Sequence, residues 1–462
     1  MAIRRILIAN RGEIAARIIR TCRALDIEAV LAVSAADRDS EPARQADRVV
    51  CIGPARSADS YLNAPAIVHA AVATGADAIH PGYGFLSERP ALPQLCATAR
   101  VIFIGPTADQ LTAVGDKLQA RSAALAANVP VVPGGAVNSA AEAEVLARQI
   151  TLPLLVKAVG GGGGRGLKKV ERIEDLPELL DLAAAEAGAA FGDARIYLEH
   201  YVEGGRHVEV QLLGDGFGTV IQLGERDCSV QRRYQKLIEE TPAPGLSAAL
   251  RNALQQAAVR FAERLHYRGA GTVEFIVDAP REDFFFLEMN ARIQVEHPVT
   301  EAVTGIDLIA EQIAIADGSG LRLHQSEVRT MGCAIECRVN AEDPRNEFRP
   351  SPGRVREVSW PTGEGLRVDT HVVPGSSIPP FYDSLIGKII AWDSDRAGAL
   401  SRLRGAIAAT SIVGVKSNLG FHGAVLDDEE FQAGGVNTDF VDRLYARRPD
   451  LRDQDAVGAA HG

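Results

Sequence analysis

A chain of 462 residues, 46% hydrophobic and 24% charged, is long enough for two to four packed domains and shows no composition bias toward disorder. Its formal net charge of −11 argues against nucleic acid or an anionic membrane as the main partner, because neither would find an overall basic surface. Six scattered cysteines (Cys22, Cys51, Cys96, Cys228, Cys333 and Cys337), with no CxxC pair and no Cys/His cluster, argue against a disulfide framework and a structural zinc.

Residues 1–10 carry two arginines and only a short apolar run, and no later stretch approaches membrane-spanning length. A cytoplasmic protein with reduced thiols is expected. Residues 1–113 place apolar runs at 5–9, 29–33 and 101–105 around a helical pattern at 14–25, the layout of a parallel α/β domain. The first strand-to-helix turn, Ala9-Asn10-Arg11-Gly12-Glu13, lacks the three-glycine dinucleotide fingerprint, so this sheet does not imply NAD. From 114 to 330 the pattern becomes strands, hairpins and amphipathic helices, an α+β texture. One helix is expected over 248–265, with Leu250, Leu254, Phe261 and Leu265 on one face behind Ser247 as N-cap. After 331, strand-like segments at 333–339 and 386–392 separated by Pro/Gly turns indicate a small mixed domain to about 450, then a tail over 451–462.

Of 49 basic residues only seven are lysines, so each is a candidate for a role that needs a compact ammonium. Lys157 precedes five consecutive glycines, Gly160 to Gly164, between strand-like runs at 152–156 and 167–170. Backbone N–H groups in such a hairpin turn can wrap phosphate oxygens beside the Lys157 charge; the alternative is a flexible linker. No Gly-Lys-Ser/Thr leads into a helix, so it is not a Walker A loop.

Strands over 272–278 and 284–290 form a hairpin that, if centred on Arg281, sets Glu274 opposite Glu288, with Asn290 on the same face. Facing carboxylates repel unless a cation lies between them, and an oxygen-only set suits Mg²⁺ rather than zinc or copper. The alternation Glu288, Asn290, Arg292, Gln294, Glu296 would put five polar groups on one side of an extended chain. Residues 225–236 are densely cationic and fit either an anion site or a solvated, salt-bridged surface. Cys228 lies among these cations without a base and is expected to be inert.

The runs HPGYGFLSE (80–88), KAVGGGGGRG (157–166), ERDCSVQRR (225–233), PAPG (242–245), HYRGAGT (266–272), EMNARIQVEHPVTE (288–301), ECRVNAEDP (336–344) and YDSLIGK (382–388) span nearly the whole chain. Together and in this order they resemble the biotin carboxylase branch of the ATP-grasp superfamily. The resemblance implies a Rossmann-like N-terminal domain (1–113), an ATP-grasp domain (114–330) whose glycine-rich lid (about 131–203) closes over ATP, and a mixed α/β C-terminal domain. It implies ATP- and bicarbonate-dependent carboxylation of biotin N1 through carboxyphosphate, the first half-reaction of an acetyl-CoA or other acyl-CoA carboxylase.

On that resemblance Lys117, Lys157, Gly163 and Gly164 hold phosphates, Glu199, His200, Tyr201 and Val202 hold adenine, and His207, Gln231 and Tyr234 lie by the nucleotide. Glu274, Glu288 and Asn290 hold Mg²⁺, as two ions or with Mn²⁺ in its place. Glu296 is the implied general base for bicarbonate, which Lys236, Arg292, Gln294 and the Val295 backbone position. Arg338 stabilises the ureido oxygen of deprotonated biotin, with Tyr83 near the ring; without the resemblance these two read as a surface ion pair and a core aromatic. A biotin carboxyl carrier protein and carboxyltransferase subunits are implied in trans, and a homodimer. No methionine (Met1, Met289, Met331) adjoins a lysine, so this chain lacks the usual Met-Lys-Met biotinylation signal. The chain departs from the family pattern at Tyr234, where histidine is usual, at His200 for lysine and at Ala291 for threonine. Two rivals are a carbamoyl phosphate synthetase half, disfavoured by the single ATP-grasp copy, and a catalytically impaired nucleotide-binding scaffold.

Overall fold

The computed structural model describes residues 3–159 and 167–452. The glycines expected to cradle phosphate, Gly163 and Gly164 among them, and residues 453–462 of the expected tail lie outside the described residues.

The N-terminal unit is built on β1 (Arg5–Ile8), α1 (Gly12–Ala24), β2 (Glu28–Ser34), β3 (Arg48–Gly53), β4 (Ala78–His80) and β5 (Ile102–Phe103). The strands form a parallel sheet in the order β3-β2-β1-β4-β5. Helices cover both faces, which is why β1 and β2 read as unbroken apolar runs rather than alternating ones. Strand order reverses between β1 and β4, so the loops after them flank a crevice. Asn10 Nδ2 spans it, donating to Pro81 O at 2.7 Å and Tyr83 O at 2.6 Å. Gly82 makes this approach possible: its φ is 61°, and a Cβ there would sit 2.9 Å from Asn10 Nδ2.

A four-stranded antiparallel sheet follows, from β6 (Gly134–Val137), β7 (Leu154–Ala158), β8 (Lys168–Val170) and β9 (Ile196–His200), in the order β6-β9-β7-β8. Strands β7 and β8 pair antiparallel, as the hairpin reading of the glycine segment expects.

The largest sheet has eight strands: β10 (Arg206–Asp215), β11 (Val220–Arg232), β12 (Gln235–Thr241), β13 (Arg268–Asp278), β14 (Asp283–Asn290), β15 (Cys333–Asn340), β16 (Leu366–Thr370) and β17 (Leu385–Asp393). Their order is β14-β13-β10-β11-β12-β15-β17-β16, so hydrogen bonding runs without a break across the change of sequence texture at 331. What changes there is the core: α2 (Ala248–Arg264) packs Leu250, Leu254 and Phe261 with Val273 and Phe275 on one side, and Ile335, Ile389, Leu403 and Phe421 share another cluster. The Ser247 hydroxyl accepts from Leu250 N and caps α2.

The β13–β14 hairpin sets Glu274 opposite Glu288, though not by the expected centring. Near the turn Phe275 pairs with Phe286, one position off that register; a bulge at Leu287 then restores it. The expected extended run to Glu296 is corrected: β14 stops at Asn290, residues 291–296 are irregular, and α3 (His297–Thr304) begins next. Among the described residues no helix is long and apolar enough to cross a membrane. All six cysteines are unpaired.

Candidate active site

The sheet face, the β6–β9 unit and the crevice of the N-terminal unit enclose a cleft of about 1140 Å³. Tyr83, Lys117, Lys157, Glu199, His200, Tyr201, Val202, His207, Gln231, Tyr234, Lys236, Glu274, Glu288, Asn290, Arg292, Gln294, Val295 and Arg338 all line it. Glu296 does not; it is 0% exposed beneath the lining.

Glu296 is held from two sides. Lys236 Nζ lies 2.7 Å from its Oε1 and Arg338 Nη2 2.8 Å from its Oε2. Burial alone would keep this carboxyl protonated, but Lys236, Arg338 and Arg226 hold it well below the usual carboxylate range. Lys236 also meets Glu209 at 2.5 Å and Glu274 at 2.9 Å. Arg338 also donates to Glu239 at 2.5 Å, and its own carbonyl accepts from Asn418 Nδ2 and His422 Nε2. Burial pushes Glu239 up to about 7 against the pull of Arg338.

Beyond β14 the polar groups converge without a strand to align them. Arg292 donates to Asn290 Oδ1 at 2.9 Å, to Gln294 Oε1 at 2.8 Å and to Glu88 Oε2 at 2.9 Å. Gln294 Nε2 reaches Glu274 at 3.2 Å. Elsewhere in the cleft lining Lys157 pairs with Glu199, and burial beside Lys157 lowers the Lys117 pKa. Tyr234 occupies a two-residue turn between β11 and β12 in which both Arg233 (φ 48°) and Tyr234 (φ 65°) are left-handed.

Glu274 and Glu288 behave as facing acids. Burial and Glu274 raise the Glu288 pKa, whereas Glu274 is lowered by Lys236 and His207 against its own burial. Among the described residues no side chain hydrogen-bonds the Glu288 carboxylate, which Lys117 and Lys157 offset only through space, so its oxygens are open to a cation entering the cleft. The oxygens of Glu274, Glu288 and Asn290 therefore fit Mg²⁺. Glu274 also belongs to a tighter cluster with His207 and Glu209, in which Lys236 bonds both carboxylates.

Sequence reasoning missed Glu88, Glu209 and Glu239. Glu209 left a signal in the alternation His207, Glu209, Gln211 on β10, and it pairs in register with Glu274. Glu88 closes the HPGYGFLSE run without having been given a role, and nothing around Glu239 marks it. The dense cationic segment divides: Lys236 enters the cleft, while Arg226 is fully buried and donates to Glu209, Gln211, Thr272 and Thr300. Arg226→Met should cost about 3–5 kcal/mol, because it strands buried acceptors, and show as a fall of several degrees in melting temperature or loss of soluble protein. Cys228 is buried and its thiol is pushed far up, as expected for an inert cysteine.

Three family models match successive parts of the chain: the biotin carboxylase N-terminal domain over residues 2–111, the ATP binding domain of the carbamoyl-phosphate synthase L chain over 116–324, and the biotin carboxylase C-terminal domain over 336–443. The chain belongs to the biotin carboxylase family. It is 49% identical to a biotin carboxylase of Nostoc over 95% of this chain and 99% of that relative. A Campylobacter jejuni biotin carboxylase solved as a β,γ-ATP complex superposes with a TM-score of 0.93 at 44% identity, covering 96% of this chain and 99% of the other. The biotin carboxylase domain dimer of a Hydrogenobacter thermophilus 2-oxoglutarate carboxylase, bound to MgADP, ADP and bicarbonate, matches with a TM-score of 0.93 at 41% identity over 98% of this chain and 99% of that one.

Proposed function

We propose that this chain uses ATP and bicarbonate to carboxylate N1 of biotin carried by a separate protein, as the first half-reaction of a biotin-dependent carboxylase. The observation that carries this reading is Glu296, a buried carboxylate clasped by Lys236 and Arg338 beneath the cleft lining. A nucleotide scaffold has no use for a base caged by two cations.

Lys117 and Lys157 take the phosphates and the 199–202 segment the adenine. Glu274, Glu288 and Asn290 hold Mg²⁺, which when bound neutralises phosphate charge. Arg292, Lys236 and the Val295 backbone place bicarbonate so that one of its oxygens meets the γ-phosphorus as the bond to ADP breaks. When the substrate anion draws Lys236 and Arg338 toward itself, the quench on Glu296 is relieved and its carboxylate takes the bicarbonate proton. The resulting carboxyphosphate gives CO₂ and phosphate. That phosphate, released as the trianion, takes the N1 proton of biotin, and Arg338 neutralises the resulting ureido oxygenate, with Tyr83 beside the ring, as N1 bonds to CO₂.

The working division is 1–113, 114–330 and 331–450. The carrier and the carboxyltransferase are separate chains, the carboxyltransferase selects the final acceptor, and the enzyme acts as a dimer; six unpaired cysteines fit the reducing cytoplasm. Purified protein should release ADP in a bicarbonate-dependent manner, faster with free biotin. No bicarbonate-dependent release at saturating ATP and Mg²⁺ would favour the scaffold.

The turn at Tyr234 makes a narrower prediction. Tyr234 is 51% exposed, and Asp439 and Lys169 act on its phenol. Histidine is better tolerated at positive φ and supplies a charge-assisted bond where a phenol supplies a neutral one. Tyr234→His should lower the KM for ATP several-fold, on the order of 1 kcal/mol, with kcat little changed and the gain clearest below neutral pH. A change in kcat alone would remove this position from nucleotide binding.

A further inference from the structure

Lys388 is one of seven lysines and is 0% exposed. On β17 it stands directly opposite Arg338 of β15, with Asp369 of β16 on its other side. Two cations facing each other across neighbouring strands repel, the more so with Lys388 fully buried, so each needs its own partner. Arg338 has Glu239 and Glu296. Lys388 Nζ instead donates to Val295 O at 2.7 Å and lies 3.1 Å from Glu13 Oε2. Glu13, buried on α1, accepts from the Tyr83 hydroxyl through its other oxygen.

One nitrogen therefore ties together three parts of the chain that are distant in sequence: α1 of the N-terminal unit, the irregular 291–296 segment and β17. Both of its tethers end in the cleft lining, one at the peptide joining Val295 to Glu296, the other at the Tyr83 phenol. Neither segment is fixed there by regular structure, since Tyr83 lies in a loop and 291–296 is irregular.

We propose that Lys388 is a positioning residue for the carboxyl-transfer end of the cleft, holding the Val295–Glu296 peptide and, through Glu13, the Tyr83 ring at a fixed separation. This rests on the assignment of Tyr83 and Val295 to the biotin and bicarbonate sites. Lys388 Nζ bonds none of the residues assigned to the nucleotide, so its effect should fall on the biotin and bicarbonate sites.

The test is steady-state kinetics with each substrate varied in turn, on Lys388→Met, on Glu13→Gln/Lys388→Met, which removes Lys388 together with the carboxylate it pairs with, and on Tyr83→Phe, which cuts only the outer tether. Lys388→Met and the double variant should raise the KM for free biotin and for bicarbonate about tenfold, the scale of one lost charge-assisted bond, with the KM for ATP within about twofold of wild type. Tyr83→Phe should raise the KM for biotin alone. A lysine that only stabilised the fold would reduce the fraction of active enzyme, lowering kcat and leaving every KM in place; that result, or a rise in the KM for ATP equal to the others, overturns the proposal. If Lys388→Met is insoluble, the double variant and Tyr83→Phe decide by the same readings. Wild-type protein without biotin-stimulated turnover overturns the functional reading and this inference with it, whereas stimulated wild type with unaltered variants overturns the inference alone.

Discussion

Glu296→Gln should reduce biotin carboxylation by about 10²–10⁴-fold, the range that a positioned general base contributes, while ATP still binds with near wild-type affinity. The outcome depends on what the substitution leaves behind. Lys236 retains Glu209 and Glu274, and Arg338 retains Glu239, so neither buried cation is stranded and the fold should survive. The amide keeps the shape and one acceptor oxygen but cannot accept the bicarbonate proton. Thermal melting together with equilibrium ATP-analogue binding separates the two effects: an unchanged melt and intact nucleotide binding with turnover lost place the defect in the chemistry. A variant that retained more than about a tenth of wild-type turnover would remove Glu296 as the base.

Glu288→Gln should act in opposite directions on stability and activity. In the metal-free protein Glu288 faces Glu274 across the hairpin, and its carboxyl is raised by burial and by that neighbour. Removing one of two facing charges should leave the metal-free protein slightly more stable, by about 0.2–1 kcal/mol. The same change removes a hard oxygen ligand. The Mg²⁺ concentration for half-maximal activity should rise at least about tenfold and maximal turnover should fall on the order of 10²-fold, the scale of one lost electrostatic contact to the transferring group. The measurement is a Mg²⁺ titration of ATP turnover beside melting curves in chelator. A variant with weaker stability and an unchanged Mg²⁺ requirement would place the ion elsewhere.

The parallel N-terminal sheet was legible because its strands are buried on both faces and read as unbroken apolar runs. The Glu274–Glu288 pairing was legible in outcome and not in cause: period-two counting from Arg281 reached the right partner only because the Leu287 bulge shifts a register that begins one residue off. The polar alternation to Glu296 was counted on an extended chain, but the chain leaves the sheet after Asn290; Arg292 then ties Asn290 to Gln294, and Glu296 is held separately by Lys236 and Arg338. A purely local reading could not separate Lys236 from Arg226, ten residues apart in one cationic segment; which of them faces the cleft is decided by β10 and α3 packing over Arg226. Tyr83 and Arg338 were reachable only through resemblance. Their neighbours, Glu13 and Glu239, lie far away in sequence, and no local pattern records contacts of that range.

In the proposed reaction an oxygen of bicarbonate attacks the γ-phosphate of ATP in this cleft. Turnover with bicarbonate labelled with heavy oxygen, followed by mass analysis of the phosphate released in the presence of biotin, tests it most directly. Each phosphate should carry one oxygen from bicarbonate; phosphate whose new oxygen comes from water would rule this reaction out.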